Sequence, residues 1–378
     1  MLPDVTGIET IAQFVARQHA GNSTCGSVLA LPPVERHPII TEDLRRILAA
    51  PLPWDRLQGR TILVTGAAGF LPAYMVETIL ALNEHVGGPA AHVVALVRNE
   101  ARARARFAVY AGRDDLEIVT QDVVAPLRSE RRLDFVIHAA SQASPVFYDT
   151  DPVGTIDANV LGTRQVLERA RADRSEGILF FSSGEVYGDV NHFPTREDQF
   201  GSLDPTNVRA CYGESKRMGE NMCACWHHQH GVHATIVRPY HTYGPGVRLD
   251  DGRVFADFVA DVLAQRPIAM KSAGTAIRAF CYLADATEGF FTVLLRGVPG
   301  LAYNVGNDEA ELSILELART LGDEFGLDVV EQAREPGSVY VPSPHSRGAP
   351  ETERIRALGW SPRTGVREGF RRTVASFR

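Results

Sequence analysis

The chain has 378 residues, 44% hydrophobic and 22% charged, with 33 Gly, 22 Pro, 5 Cys and a formal net charge of −7. At roughly 100–200 residues per domain this length predicts two domains, and the composition excludes collagen-like, disordered and disulfide-scaffold chains. The balance of 46 acidic against 39 basic residues gives no general footprint for nucleic acid, so no such partner is expected. Asp4 and Glu9 stand where a signal peptide needs basic residues and then an unbroken apolar stretch, and no later run reaches ~18 apolar residues. The expectation is a cytoplasmic protein with no membrane partner. Five scattered cysteines (25, 211, 223, 225 and 281), without CxxC spacing, fit a reducing compartment.

Residues 1–58 hold short amphipathic pieces (8–16 and 41–49) between Gly, Ser and Pro, and read as an N-terminal extension. From residue 59 the pattern changes. The apolar run 61–64 meets a glycine-rich turn, a helical stretch at 74–83 and a second strand at 92–97. Further strands are predicted at 117–120, 135–138, 178–182 and 234–238, alternating with helices such as 155–173 and 212–230. Such alternation predicts an α/β fold, a doubly wound parallel (Rossmann) sheet over residues 59–240. After Pro239 the chain turns mixed, with a Gly- and Asp-rich loop at 244–252, a helix at 255–265, short strands and a last helix at 366–377. Residues 241–378 are expected to build mainly a smaller mixed α/β substrate lobe, some segments returning to the sheet.

Thr65-Gly66-Ala67-Ala68-Gly69-Phe70-Leu71-Pro72 lies between the first strand and the first helix, where backbone can approach a pyrophosphate. Pro72 replaces the usual third glycine, which the first helical turn tolerates. After the second strand stands Arg98 rather than the common acidic ribose ligand; arginine can bind a 2′-phosphate, so NADP stays open beside NAD. Tyr212 and Lys216 lie four residues apart on one helical face, where an ammonium near a phenol lowers its pKa and makes it a usable base. Ser183 and Glu185 follow a buried-looking strand. Extended backbone there would place both side chains on the same side. Cys223, Cys225, His227, His228 and His230 are of zinc-ligand type, yet they crowd one helical stretch, so no metal is expected. The alternative is cysteines packed inward and histidines on the last turn before Gly231 as cap.

With these blocks in order, and with HAASQASP at 138–145, SSGEVYGD at 182–189, ACYGESKR at 210–217, RPYHTYGPG at 238–246, DDGRVFADF at 250–258, IRAFCYLAD at 277–285, YNVGN at 303–307 and LGWSPR at 358–363, the chain resembles extended short-chain dehydrogenases/reductases over residues 60–375. The likeness is to their nucleotide-sugar branch, most of all to UDP-glucuronate decarboxylases. The resemblance implies Tyr212 as base, Lys216 as its partner and ribose ligand, Ser183 as hydroxyl partner and Glu185 as a further catalytic group. It implies a cofactor site of Gly66, Gly69, Phe70, Leu71, Arg98, Asp122, Val123, Ala139 and Ala140, shared with Tyr212 and Lys216. Substrate contacts would come from Ser141, Ser144, His241, Arg253, Arg278 and Arg347. In relatives the helix carrying Tyr and Lys packs with its neighbour against their copies, which implies a homodimer.

Two departures bear on the reaction. Members that dehydrate carry an Asp-Glu pair where this chain has Gly184-Glu185, and the usual Asn of the RxxNTYGP block is His241. The expected partner is a nucleotide-diphosphate sugar, oxidised at C4 to a transient ketone with bound NAD. Decarboxylation of an NDP-hexuronate is the first reading and 4-epimerisation the second. 4,6-Dehydration and an NADPH-dependent 4-ketoreductase follow.

Overall fold

In the computed structural model, residues 35–85, 87–331 and 346–378 are described. Seven parallel strands form the central sheet: β1 (Thr61–Thr65), β2 (His92–Val97), β3 (Leu116–Thr120), β4 (Phe135–His138), β5 (Gly177–Phe181), β6 (Ala234–Pro239) and β10 (Ala302–Val305). Their order is β10-β6-β5-β4-β1-β2-β3. Strands β1, β2, β4 and β5 are buried along nearly their whole length, as near-continuous apolar runs in a parallel sheet covered on both faces require. Order reverses between β1 and β4, which opens a crevice beyond their carboxyl ends.

One face carries α1 (Pro38–Leu48), α2 (Phe70–His85) and a helix at Leu283–Arg296, all joined in the same apolar core. That last helix was not among the sequence-predicted elements; residues 283–295 are all buried, so it works as an interior layer under the sheet. The other face carries a helix at Pro152–Asp173 and another at Cys211–His230, which pack together over Val94, Val136 and Phe180. The latter ends at Gly231 in the left-handed conformation, the predicted cap.

The smaller lobe is organised by β9 (Ile277–Tyr282). It pairs with β7 (His241–Tyr243) and β13 (Arg347–Gly348) in parallel and with β11 (Glu311–Ser313) antiparallel. The separate pair β8 (Ile268–Met270) and β12 (Val329–Glu331) completes it. Strand β10 returns from this part of the chain to the edge of the main sheet.

The extension read over residues 1–58 needs correction for its second half. Residues 36–58 belong to the same unit as the rest of the chain through Arg378. Leu44, Ile47 and Leu57 are buried in the main core, burial worth roughly 1.5–3 kcal/mol for each side chain. Asp43, fully buried, accepts from Tyr74 (2.9 Å), Tyr282 (2.7 Å) and Arg372 (2.7 Å), tying α1 to α2, β9 and the last helix, Val366–Ala375. The 8–16 segment and Cys25 lie outside the described residues.

Candidate active site

The glycine loop closes over the β1–β4 switch point. Gly66 has φ +66°, and a Cβ there would stand 2.8 Å from the Ala140 Cα, so only glycine fits both its dihedral and its neighbour. The Thr65 hydroxyl accepts from the Ala139 and Ala140 amides (3.2 and 3.1 Å) and lies 2.8 Å from His138 Nδ1, whose Nε2 is 3.0 Å from the Thr163 hydroxyl. Burial pushes the His138 imidazole down to about 3, so it bridges the two threonines in its neutral form. Phe70 and Leu71 open α2. Pro72, third in that helix, costs no helical bond because the first four amides have no intrahelical acceptor. Backbone brought this close at a switch point fits a dinucleotide. Arg98 is exposed just past β2, the Asp122 carboxylate accepts from the Val124 amide (3.1 Å), and Val123 is buried against Gly162.

The catalytic candidates converge from two elements. Ser183, two residues beyond β5, is extended, and Gly184–Tyr187 is a 3₁₀ turn. The turn breaks the two-residue alternation on which the shared orientation of Ser183 and Glu185 was expected. The Glu185 amide instead donates to the Ser183 hydroxyl (3.2 Å), and its carboxylate turns to Arg209 at 3.4 Å. Tyr212 and Lys216 project from the first turns of the Cys211–His230 helix, both buried. The Lys216 ammonium donates to the Phe181 carbonyl (2.6 Å) and sits 5.8 Å from the Tyr212 ring centre.

Burial reverses the electrostatic expectation for this pair in the free protein. Tyr212 is pushed up to about 12 by desolvation, against a hydrogen bond with Ser183 that pulls it down. Lys216 is pushed down to about 7, again by desolvation. Two groups so perturbed, side by side at a sheet end, make this the candidate functional site.

Several residues here had no role assigned from the sequence. Tyr148, in the short helix Val146–Thr150, stacks on Tyr212 with ring centres 4.9 Å apart, and the Arg209 guanidinium lies 4.6 Å from the Tyr148 ring centre. Behind the site, Glu220 accepts from Ser182 (2.5 Å) and doubly from Arg238 (2.8 and 2.6 Å), while Arg238 reaches the Tyr187 hydroxyl (2.8 Å), which donates to Asn304 (2.6 Å). No local spacing signalled this charge-assisted network, because Glu220 finds its partners at positions 182 and 238. Tyr148 offered no signal either, since only tertiary packing brings it to Tyr212.

The substrate candidates spread around this centre. Arg253 pairs with Asp251 (3.1 Å) and is near enough to favour the Tyr212 phenolate. The Ser144 hydroxyl donates to the Asp251 carbonyl (3.1 Å), and the Ser141 hydroxyl oxygen is buried. His241, on β7, meets the Phe280 ring edge-on at 6.2 Å. Arg278, buried on β9, donates to the carbonyls of Ile277 (2.7 Å) and Ser346 (3.4 Å). Arg347 is held by Glu311 (2.7 Å) and lies 5.4 Å from the Phe193 ring centre. A side chain at Gly184 would meet the Tyr240 ring at 3.3 Å, so tyrosine fills the space beside Glu185. Of the cysteines read as inward-facing, Cys223 is buried and Cys225 is exposed, because residues two apart on a helix point about 200° apart. Among the described residues no His/Cys/Asp/Glu group is placed to hold a metal, and no helix is long and apolar enough to cross a membrane.

The NAD dependent epimerase/dehydratase family model matches residues 62–306. The chain belongs to this family. NAD is accordingly its cofactor, and the residues at the switch point fit it. It is 33% identical over 318 residues to UDP-glucuronic acid decarboxylase 6 of Arabidopsis thaliana, covering 84% of this chain and 88% of that one. It is 31% identical over 324 residues to UDP-glucuronic acid decarboxylase 1 of Xenopus tropicalis, covering 84% and 72%. Among solved structures, a dTDP-glucose 4,6-dehydratase double mutant from Streptomyces venezuelae with NAD bound is 26% identical, with a TM-score of 0.71 over 84% of this chain and 96% of that one. The UDP-glucose 4-epimerase of Thermotoga maritima, with UDP-glucose, shares the fold at 22% identity and a TM-score of 0.72, covering 84% and 98%.

Proposed function

We propose that this protein decarboxylates a UDP-hexuronate through a 4-keto sugar. The observation that carries the reading is the 33% identity, over 84% of the chain, to a UDP-glucuronic acid decarboxylase. Gly184 argues against dehydration, because glycine supplies no acid to protonate a leaving hydroxyl. Tyr212 takes the proton of the sugar 4-hydroxyl, with Ser183 hydrogen-bonded beside it. Bound NAD supplies the two-electron oxidation at C4 and the matching reduction at the end of the turnover. The ketone makes the C6 carboxylate a β-keto acid. The C5–C6 bond then breaks, CO₂ leaves, and the electron pair passes into the C4 oxygen, where Tyr212 and Ser183 stabilise the enolate. Proton return to C5 completes the carbon chemistry. Lys216, with its depressed pKa, is poised to change charge near neutral pH and so to bias the phenol.

Epimerisation at C4 is the second reading, favoured by the turn of the Glu185 carboxylate toward Arg209, at 3.4 Å. Purified protein given UDP-glucuronate and UDP-glucose separates them by product mass. Loss of CO₂ is expected; loss of water or an unchanged mass would sink the decarboxylase reading.

The proposed assembly is a homodimer. Val153 (67% exposed), Ile156 (42%) and Leu161 (47%) on the Pro152–Asp173 helix, with Met218 (49%) on its neighbour, form the apolar outer face available to a second copy. Light scattering at micromolar concentration should give twice the chain mass, and a monomer would count against it.

A further inference from the structure

Lys216 is almost wholly out of water, and one neutral acceptor does not offset that. Its ammonium donates to the Phe181 carbonyl (2.6 Å), with the Phe180 ring centre 5.1 Å away and the Tyr212 ring centre 5.8 Å away. A buried charge needs an opposite charge nearby or it gives up its proton. The titratable groups that face it are Tyr212, Glu220 and Cys223 on its own helix and His138 on β4. Burial keeps the Tyr212 phenol, the Cys223 thiol and the His138 imidazole uncharged at neutral pH. That leaves the Glu220 carboxylate, one helical turn from Lys216, a spacing at which Cβ atoms stand about 5–6 Å apart.

Glu220 is not free to swing away. Its carboxylate accepts from the Ser182 hydroxyl (2.5 Å) just beyond β5 and from Nε and Nη2 of Arg238 (2.8 and 2.6 Å) on β6, and Ser182 and Arg238 are themselves buried. Arg238 is the cation that faces the carboxylate from the sheet, and the neighbouring Tyr187 phenol is kept neutral by burial. Three bonds from two strands thus fix a negative charge behind the catalytic helix. A charge fixed in surroundings poor in water acts more strongly than one free in solvent. Burial pushes Lys216 down, and Glu220 is the group that pulls hardest against it.

We propose that Glu220 is a positioning residue of the reaction: it acts through Lys216, holding that side chain as the ammonium beside Tyr212, without touching sugar or cofactor. The proposal rests on the reading of Tyr212 as base and Lys216 as its partner, and it is independent of which sugar is turned over. Ser182, Glu220 and Arg238 then form more than a clamp between helix and sheet. Loss of a clamp disturbs geometry at every pH. Loss of a counter-charge shows only where Lys216 has given up its proton, and acid restores the ammonium.

The chain has two lysines, 216 and 271, so protein labelled with carbon-13 at lysine Cε gives two signals, which Lys271→Arg assigns. The NAD-loaded protein is titrated by NMR. Glu220→Gln, which keeps size and hydrogen bonding, should move the Lys216 midpoint down by about one pH unit or more, a tenfold change in the ammonium equilibrium, and leave the Lys271 signal as it was. With UDP-glucuronate as substrate, kcat of Glu220→Gln relative to wild type should fall about tenfold on the alkaline side and recover as the pH is lowered. Ser182→Ala, which removes one bond and leaves the charge, should leave the Lys216 midpoint in place. Should Glu220→Gln not fold, Glu220→Asp decides, because it draws the carboxylate back by one methylene: a smaller downward shift upholds the proposal and an unmoved midpoint overturns it. An unmoved Lys216 midpoint in Glu220→Gln, an equal shift in Ser182→Ala, or a rate loss that acid does not relieve also overturns it. Full turnover in Lys216→Met defeats instead the reading of the Tyr212–Lys216 pair, whatever the midpoint does.

Discussion

The cofactor end of the sheet and the β9 strip of the smaller lobe are held in different ways. At the β1–β4 switch point, backbone does most of the work: the Thr65 hydroxyl gathers two successive amides, His138 bridges two threonines, and Gly66 lies against the Ala140 backbone. Around β9, three short strands from distant segments meet one six-residue strand, and the arginines are held by side-chain carboxylates or stray carbonyls. A backbone cradle has one shape and suits a cofactor kept through the turnover. Ion pairs can exchange partners, which suits a substrate that must enter and leave.

Four experiments sharpen the contrast. Tyr212→Phe and Lys216→Met should each remove at least about 10²-fold of activity, the scale of general acid–base catalysis, in product-formation assays, with circular dichroism unchanged. Turnover near wild type in Tyr212→Phe would break the mechanism. Next comes Gly66→Ala, whose Cβ meets backbone that cannot yield and whose φ is left-handed. Roughly 1–3 kcal/mol of stability should be lost in denaturant titrations, together with co-purified NAD. A variant that keeps its NAD would show the cradle to be softer than its packing implies.

His138 supplies a pH test of the same cradle. Its folded pKa, about 3, lies below the ordinary 6.5, so between these values the unfolded chain binds a proton that the folded chain does not. Stability is therefore fully present above about pH 6.5 and falls by roughly 1.4 kcal/mol per pH unit towards pH 3. In His138→Phe, denaturant midpoints should be lower at neutral pH and the acid limb flatter; an unchanged slope would reassign acid sensitivity to other groups. The smallest effect is expected in the lobe. Arg347→Gln breaks a partly exposed pair, worth about 0–1 kcal/mol, and should register in KM for the sugar nucleotide rather than in melting temperature.

Much of the first region was legible in advance. The alternation of apolar runs with helices, the glycine loop, and the four-residue Tyr–Lys spacing are local patterns, set by 3.6- and 2-residue periods that backbone geometry imposes. One element was missed and two readings failed where local pattern was asked to settle tertiary matters. The helix Leu283–Arg296 lies in the interior, so its role as a layer under the sheet was hidden. Residues 36–58 looked like an appendage because Asp43 finds its partners at positions 74, 282 and 372. Glu185 was oriented by strand alternation that a 3₁₀ turn had already ended.

By itself, then, the sequence determined the parallel sheet, the dinucleotide loop and the Ser183, Tyr212 and Lys216 set, because each depends on neighbours a few residues away. Tertiary structure decided the charges and partners: it raised the Tyr212 phenol and depressed the Lys216 ammonium by taking both out of water, laid Tyr148 on the phenol, and turned Glu185 to Arg209. Desolvation and long-range pairing depend on what surrounds a side chain in space, and no spacing along the chain encodes that.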